Sequence, residues 1–351
     1  MAIQKISVED LLQLAANYPV LDVRSPGEYA HAQIPGAFSL PLFSDEERKT
    51  IGTAYKQQSR EKAIKLGLDF FSVKMRPMVE EVEKIIKNQE LKSTSNSLIV
   101  HCWRGGMRSS AVAWLLNFYG FNIYLLEGGY KAYRNWVLEQ FEKEYQFYIV
   151  GGYTGSGKTE VLKTLKEKDH AVIDLEGLAN HKGSAFGALG QPTQPSQEMF
   201  ENLLAGSLYK HRKSLFWLED ESQRIGALNI PHGFWKSMRA KQVYFMDIPF
   251  EQRLDHIIAG YGAIEKEQLV NAIMRIKKRL GPLETKTAIG FLVEDNVKEC
   301  FRILLSYYDK TYIKALYNRE NFTALLNKIT CSGVDALSNT EKLISCATVN
   351  A

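Results

Sequence analysis

Leu98-Ile99-Val100-His101-Cys102-Trp103-Arg104-Gly105-Gly106-Met107-Arg108-Ser109 is the stretch on which the fold turns. Leu98 to Val100 form a short apolar run that suits a buried strand, and Ser110 to Tyr119 carry an apolar helical face, so the residues between them make a strand-to-helix turn. Two glycines let successive backbone N–H groups point inward, the following helix adds the positive end of its dipole, and Arg104 and Arg108 add full charges. Such a cradle binds an oxyanion and lowers a cysteine pKa from about 8.5 towards neutrality. Read only as a buried cysteine ending a core strand, the stretch leaves its arginines and glycines unexplained.

The same grammar recurs outward from this turn. Val20 to Val23, Leu98 to Val100 and Asn122 to Leu126 alternate with helical stretches, which predicts a parallel α/β sheet for a first domain over residues 1–141. A second strand-loop-helix unit starts at Phe147, with further strand-like runs at Ala171 to Ile173, Leu215 to Leu218 and Gln242 to Met246. These predict a second α/β domain over 146–331. The small, polar tail 332–351 is expected to be weakly structured. Residues 44–96 read as a helical insert in the first domain, carrying Tyr55, Lys56, Gln57, Arg60, Lys62 and Lys65. Those side chains suit a solvated helix face and, equally, a surface for an acidic substrate.

Composition bounds the class. With 351 residues, 45% hydrophobic and 24% charged, the chain has apolar content for two domains. A net charge of +4 is compatible with a nucleic-acid partner without demanding one. Cys102, Cys300, Cys331 and Cys346 lie far apart with no Cys-x-x-Cys spacing, so neither a disulfide framework nor a zinc site is indicated, and a reducing cytoplasm is the expected location. The N-terminus lacks a basic region followed by an apolar core, and no apolar run approaches about 18 residues, so neither export nor a membrane partner is expected.

Gly152-Tyr153-Thr154-Gly155-Ser156-Gly157-Lys158-Thr159 satisfies the phosphate-loop pattern Gly-x4-Gly-Lys-Thr. Its context fits: Tyr148 to Val150 form the strand before it, and Glu160 to Lys168 continue as a helix with Val161, Leu162 and Leu165 inward. Gly152, Gly155, Ser156 and Gly157 let N–H groups wrap phosphate oxygens, Lys158 supplies a point charge, and Thr159 can ligate Mg²⁺. Acidic partners for the metal are Asp174, which is taken with Thr159 as the metal site, then Glu219 to Glu221, and Asp247. Each of these also fits the turn that ends a strand. No adenine-specific signature is readable, so a diphosphate of another kind stays open.

Leu21-Asp22-Val23-Arg24-Ser25-Pro26-Gly27-Glu28-Tyr29-Ala30-His31-Ala32-Gln33-Ile34-Pro35-Gly36-Ala37 and Leu126-Glu127-Gly128-Gly129-Tyr130-Lys131-Ala132-Tyr133, taken with the cysteine loop, closely resemble the rhodanese fold over most of residues 1–140. The resemblance implies a structural charge pair between Asp22 and Arg24, and a cysteine that carries sulfur or selenium as a persulfide or perselenide. Common single-domain sulfurtransferases have a six-residue loop, whereas here five residues separate Cys102 from Arg108. The wider ring fits a tetrahedral oxyanion, and its spacing also resembles the Cys-x5-Arg loop of protein phosphatases.

Arg104 to Ser109, Asp174-Leu175-Glu176-Gly177-Leu178-Ala179-Asn180-His181-Lys182-Gly183-Ser184-Ala185-Phe186-Gly187, Gln194-Pro195-Ser196-Gln197-Glu198 and Glu219-Asp220-Glu221-Ser222 together resemble the tRNA 2-selenouridine synthase family across nearly the whole chain. That resemblance implies replacement of sulfur by selenium in 2-thiouridine at the tRNA wobble position, through an S-geranyl intermediate. Geranyl diphosphate and selenophosphate would be co-substrates, with Mg²⁺ at the phosphate loop and a selenophosphate-supplying enzyme as a further partner. Cys102, Arg104 and Arg108 would serve the selenium step. The phosphate-loop residues would serve geranyl transfer. The basic stretch Arg275, Lys277, Lys278 and Arg279, with Arg253 and Lys266, suits either a solvated helix face or contacts to a tRNA backbone. Two other classes stay open: a Cys-x5-Arg phosphatase or arsenate-reductase-like enzyme, and a nucleotide-dependent kinase or regulatory NTPase. The first would act on generic aryl phosphates and the second would hydrolyse ATP or GTP.

Overall fold

The structure, a computed structural model, describes residues 3–88, 96–261 and 264–349, and the chain divides into two units between Gln140 and Phe141. Each unit is built on a parallel sheet. The strands read as continuous apolar runs rather than as alternating ones, and such strands are stable only when helices cover both sheet faces.

The first unit contains β1 (Gln4–Ile6), β2 (Val20–Asp22), β3 (Phe38–Ser39), β4 (Ser97–His101) and β5 (Asn122–Leu126). Their order is β1-β5-β4-β2-β3, with every neighbouring pair parallel. β4 lies in the middle with all its residues buried. β1 and β3, of three and two residues, are too short to show a period and escape a sequence reading. The insert is three helices, Asp45–Gln57, Arg60–Ser72 and Met75–Asn88. A capping box at Ser44 and Glu47 starts the first of them. Phe71, Met78 and Val82 join the core around Leu98, Val100 and Leu116, while Tyr55, Lys56, Gln57, Arg60, Lys62 and Lys65 face solvent. The expected end of the insert falls partly on 89–95, outside the described residues.

The second unit contains β6 (Phe147–Gly152), β7 (Ala171–Ile173), β8 (Phe216–Glu219), a short antiparallel pair β9 (Arg224–Ile225) and β10 (Leu228–Asn229), β11 (Val243–Asp247) and β12 (Leu326–Thr330). Its main sheet is parallel, in the order β12-β11-β6-β8-β7. From β6 the chain fills one side with β7 and β8, then crosses to the other side with β11 and β12. The carboxyl end of β6 is therefore a topological switch point, where open α/β sheets bind ligands. Among the described residues, no helix is long and apolar enough to cross a membrane.

Two expectations need correction. The tail is not loosely held: Ala336–Val349 is a helix that packs on the helix Lys158–Glu167, with Asn339, Thr340, Leu343 and Ala347 buried. Its packing face is small and half polar, so polarity alone hides it. Nor does Arg253 belong to a basic surface, whereas Lys266 is exposed at the start of the helix Lys266–Leu280. Arg253 is buried against Asp309, at 2.9 and 2.7 Å. Lys266 pairs with Asp295 at 2.6 Å. Arg275, Lys277, Lys278 and Arg279 are exposed on the helix Lys266–Leu280.

Leu343→Ala should lower the stability of the second unit by about 2–4 kcal/mol, because it empties a fully buried site. Urea denaturation checks this. A loss under about 0.5 kcal/mol, the size of an ordinary surface change, would return the tail to a loose segment.

Candidate active site

β4 runs into Cys102, which is buried, and the helix Met107–Tyr119 starts five residues later with Gly106 as its N-cap. The loop between is shaped from below. Tyr130 and Lys131 donate backbone N–H bonds to the carbonyls of Cys102 and Trp103, at 2.8 and 2.9 Å. Gly129, with φ +59°, lies so close to the loop that a Cβ there would strike the Cys102 carbonyl and the N–H groups of Arg104 and Gly105. Only glycine fits that contact.

The Cys102 thiol is set by competing effects. Burial pushes its pKa up, but hydrogen bonds from the Ser109 side chain and from the N–H groups of Ser109, Arg104 and Gly106 outweigh burial and leave it below the ordinary thiol value. Ser109 Oγ lies 3.2 Å from Cys102 Sγ and 3.1 Å from the Gly106 carbonyl, so its single proton serves one or the other.

Arg108 does not point at the thiol as the spacing suggested. Arg108 donates to Glu28 Oε2 at 2.8 Å, and the same oxygen accepts from Arg48 at 2.9 Å. Burial raises the Glu28 pKa, but its bonds to Arg108, Ser25 and Arg48 prevail and hold it at about 2. Arg104 is exposed at the loop. Behind the site, Arg24 and Asp22 form a buried bidentate pair at 2.6–2.9 Å, with the Arg24 guanidinium 3.7 Å over the Tyr130 ring. Burial is the main reason the neighbouring His101 pKa is lowered, which favours the neutral imidazole.

In the second unit β6 ends at Gly152, and the helix Lys158–Glu167 starts immediately after the loop. One turn therefore holds Gly152, Gly155, Ser156, Gly157, Lys158 and Thr159 together. Lys158 Nζ donates to the Gly152 carbonyl at 3.0 Å, and among the described residues the buried Ser156 hydroxyl has no hydrogen-bond partner. Arg253 braces the loop by donating to the Thr154 carbonyl at 3.0 Å.

The acidic residue that meets Thr159 is Glu176, at 3.2 Å. Asp174, expected there, caps the helix Leu175–Ala179 by accepting from the Gly177 N–H at 2.7 Å. Asp247 pairs with Lys328 at 2.8 Å. Glu219 is buried and accepts the Glu176 N–H at 2.7 Å. Burial first, then Asp174 and Glu176, push the Glu219 pKa well above the carboxylate range. Glu176 and Glu221 hydrogen-bond to each other, and burial pushes both carboxyls up, Glu221 well above the ordinary carboxylate range. Gly183, at φ +63°, passes so close that a Cβ would come within 2.8–2.9 Å of both carboxyl groups. Among the described residues, no three His, Cys, Asp or Glu side chains form a ready metal cage.

Sequence reasoning therefore assembled both loops but missed Ser109, Glu28 and Glu176 as working side chains. A signal existed for one of them: Ser25-Pro26-Gly27-Glu28 has capping-box spacing, although nothing local couples Glu28 to Arg108.

A family model described as the tRNA 2-selenouridine synthase AAA domain matches residues 145–330, and one described as a rhodanese-like domain matches residues 7–135. Relatives named tRNA 2-selenouridine synthase align along most of the chain. That of Nitrosomonas europaea is 33% identical, covering 84% of this chain and 76% of the relative. That of Hydrogenovibrio crunogenus is 37% identical, covering 76% of each. That of Bdellovibrio bacteriovorus is 38% identical, covering 74% and 69%. A rhodanese-like unit with an activated cysteine, a phosphate-loop unit, and identity of this order over more than two thirds of each relative place the chain in one group: it belongs to the tRNA 2-selenouridine synthase family and is an enzyme of that kind.

Proposed function

We propose that this enzyme replaces the sulfur of 2-thiouridine at the wobble position of tRNA with selenium, in the cytoplasm, in two steps served by its two loops. The observation that carries the reading is the presence, in one chain, of two anion cradles of different chemistry. One is a ring of N–H donors around an activated thiol. The other is a phosphate loop with a lysine and hard-oxygen carboxylates.

In the first step the sulfur on C2 of the base attacks C1 of geranyl diphosphate, the carbon–oxygen bond breaks, diphosphate leaves, and the N3 proton of the base is lost to solvent. Lys158 and the loop N–H groups take up the charge that develops on the leaving group. The Ser156 hydroxyl, without a partner among the described residues, is a donor for a phosphate oxygen. Mg²⁺ prefers hard oxygens and binds through one or two carboxylates plus substrate phosphates, which suits Thr159 with Glu176 and Glu221 as its holders. Bound there, it would supply Lewis-acid neutralisation of the diphosphate.

In the second step the selenium of selenophosphate attacks C2, the bond from C2 to the geranyl-bearing sulfur breaks, and the thiolate leaves and is protonated to geranylthiol; water then cleaves the selenium–phosphorus bond, releasing inorganic phosphate and leaving selenium on C2. Alkylation in the first step is what makes that sulfur a leaving group. The N–H groups of Arg104, Gly106 and Ser109 form a receptor for a tetrahedral oxyanion beside Cys102, with Arg104 exposed next to it.

Cys102→Ser should abolish 2-selenouridine while S-geranyl-2-thiouridine accumulates, as scored by mass spectrometry of tRNA nucleosides; undiminished selenouridine would remove Cys102 from the reaction. Lys158→Ala should slow geranyl transfer by about two to three decades, because one charged clamp on the leaving group is lost. Robust ATP turnover without tRNA, uncompeted by geranyl diphosphate, would instead favour a nucleotide-driven enzyme. Ser109→Ala removes a donor that favours the thiolate, so the Cys102 pKa should rise. The pH profile of Cys102 alkylation should then move to higher pH, and an unmoved profile would leave the backbone donors alone responsible.

A further inference from the structure

The helix Met107–Tyr119 that leaves the cysteine loop has one charged residue, Arg108, and that residue is already paired with Glu28. A helix packed on a sheet ordinarily turns a polar face to water. This one shows Met107, Trp114 and Phe118, spaced seven and four residues apart along about 16 Å of one helical face. They are 57%, 53% and 80% exposed. The Trp114 and Phe118 rings stack with centroids 5.8 Å apart, and Tyr119 is also exposed.

At the loop end of the helix, Trp103 follows Cys102 directly and is partly exposed. It is backed by a ladder of rings, 5.6 Å to Tyr130, then 6.1 Å to Tyr133 and 5.6 Å to Trp136. Exposed Arg104 and Lys131 flank it.

We propose that this aromatic stripe is a stacking surface for the unpaired bases of an RNA loop, aligned so that the target base reaches Cys102. The proposal rests on the reading that tRNA is the substrate. A base that undergoes chemistry must leave its stack, and the loss is offset when unpaired bases stack on protein rings and arginine planes. The stripe starts at the reactive loop, and the charges flanking Trp103 are positive, as a polyanion requires. A second copy of the chain fits less well: Trp114, Phe118 and Tyr119 together offer on the order of 400 Å², about half of the roughly 800 Å² per partner in a stable interface.

The test uses the full chain and two probes, a stem-loop RNA and the same strand fully annealed to its complement, with fluorescence anisotropy at several salt concentrations. The double variant Trp114→Ala with Phe118→Ala should bind the stem-loop roughly tenfold or more weakly and the duplex almost unchanged. Its log–log salt slope should stay as it was, because stacking releases no counterions. Phe118→Leu, which keeps an apolar side chain without a ring, should lose part of the same affinity. An unaltered Cys102 alkylation rate shows that the loop is intact. Unchanged stem-loop affinity in both variants, equal losses on loop and duplex, or conversion of a dimer to a monomer in sedimentation would overturn the proposal. Failure of the unsubstituted chain to bind the stem-loop would overturn the RNA-substrate reading as well.

Discussion

Two backbone hydrogen bonds, from Tyr130 and Lys131 to the carbonyls of Cys102 and Trp103, decide what the first unit can do. A trans peptide points its carbonyl and its N–H in opposite directions. Pulling the Trp103 carbonyl down to Lys131 therefore turns the Arg104 N–H up towards the thiol, where it joins the N–H groups of Gly106 and Ser109. The donors that favour the thiolate are consequences of carbonyls being held elsewhere. Gly129 is the condition for this arrangement, since any side chain would wedge the loop off its support. The buried Arg24–Asp22 pair stacks on Tyr130 and so steadies the residue that donates the first of the two bonds.

The second unit solves the opposite electrostatic problem. Its loop gathers N–H donors and Lys158, and beside them the fold buries or half-buries Asp174, Glu176, Glu219 and Glu221. Burial first, and the neighbouring carboxylates second, push the Glu219 and Glu221 carboxyls well above the ordinary carboxylate range, and burial raises Glu176 as well. The close passage of the Gly183 backbone keeps a side chain out of the space over the pair. Such a cluster does little for stability on its own.

What could be read from the sequence follows sequence distance. The strand-loop-helix turns at Cys102 and Lys158 are local, written within about a dozen residues by apolar runs and glycines, and both stand where the reading put them. The Asp22–Arg24 pair implied by the rhodanese resemblance is also local, two residues apart. The contacts that complete the sites are not: Glu28 reaches Arg108 across 80 residues, and Glu219 reaches Glu176 across 43. Arg253 reads as one more charge on a basic helix, because nothing near it announces Asp309, 56 residues on. β12 fails for another reason. Leu326-Asn327-Lys328-Ile329-Thr330 is an edge strand, partly solvated, and its identity comes from pairing in register with β11 rather than from its own pattern.

The pairing of Arg108 with Glu28 bears on why the cysteine loop uses neutral donors. Backbone N–H groups neither titrate nor swing away, so they can hold a thiolate and then an incoming oxyanion without rearrangement. A guanidinium fixed on the sulfur would compete with that anion for the same charge. Arg108 and Arg48 share the Glu28 carboxylate, and the Asp45 carboxylate beside it accepts the Gly27 N–H, so both guanidiniums are tied into a carboxylate cluster instead of onto the sulfur. The stabilisation of the Cys102 thiolate therefore falls to the backbone donors and the Ser109 hydroxyl, which carry no net charge.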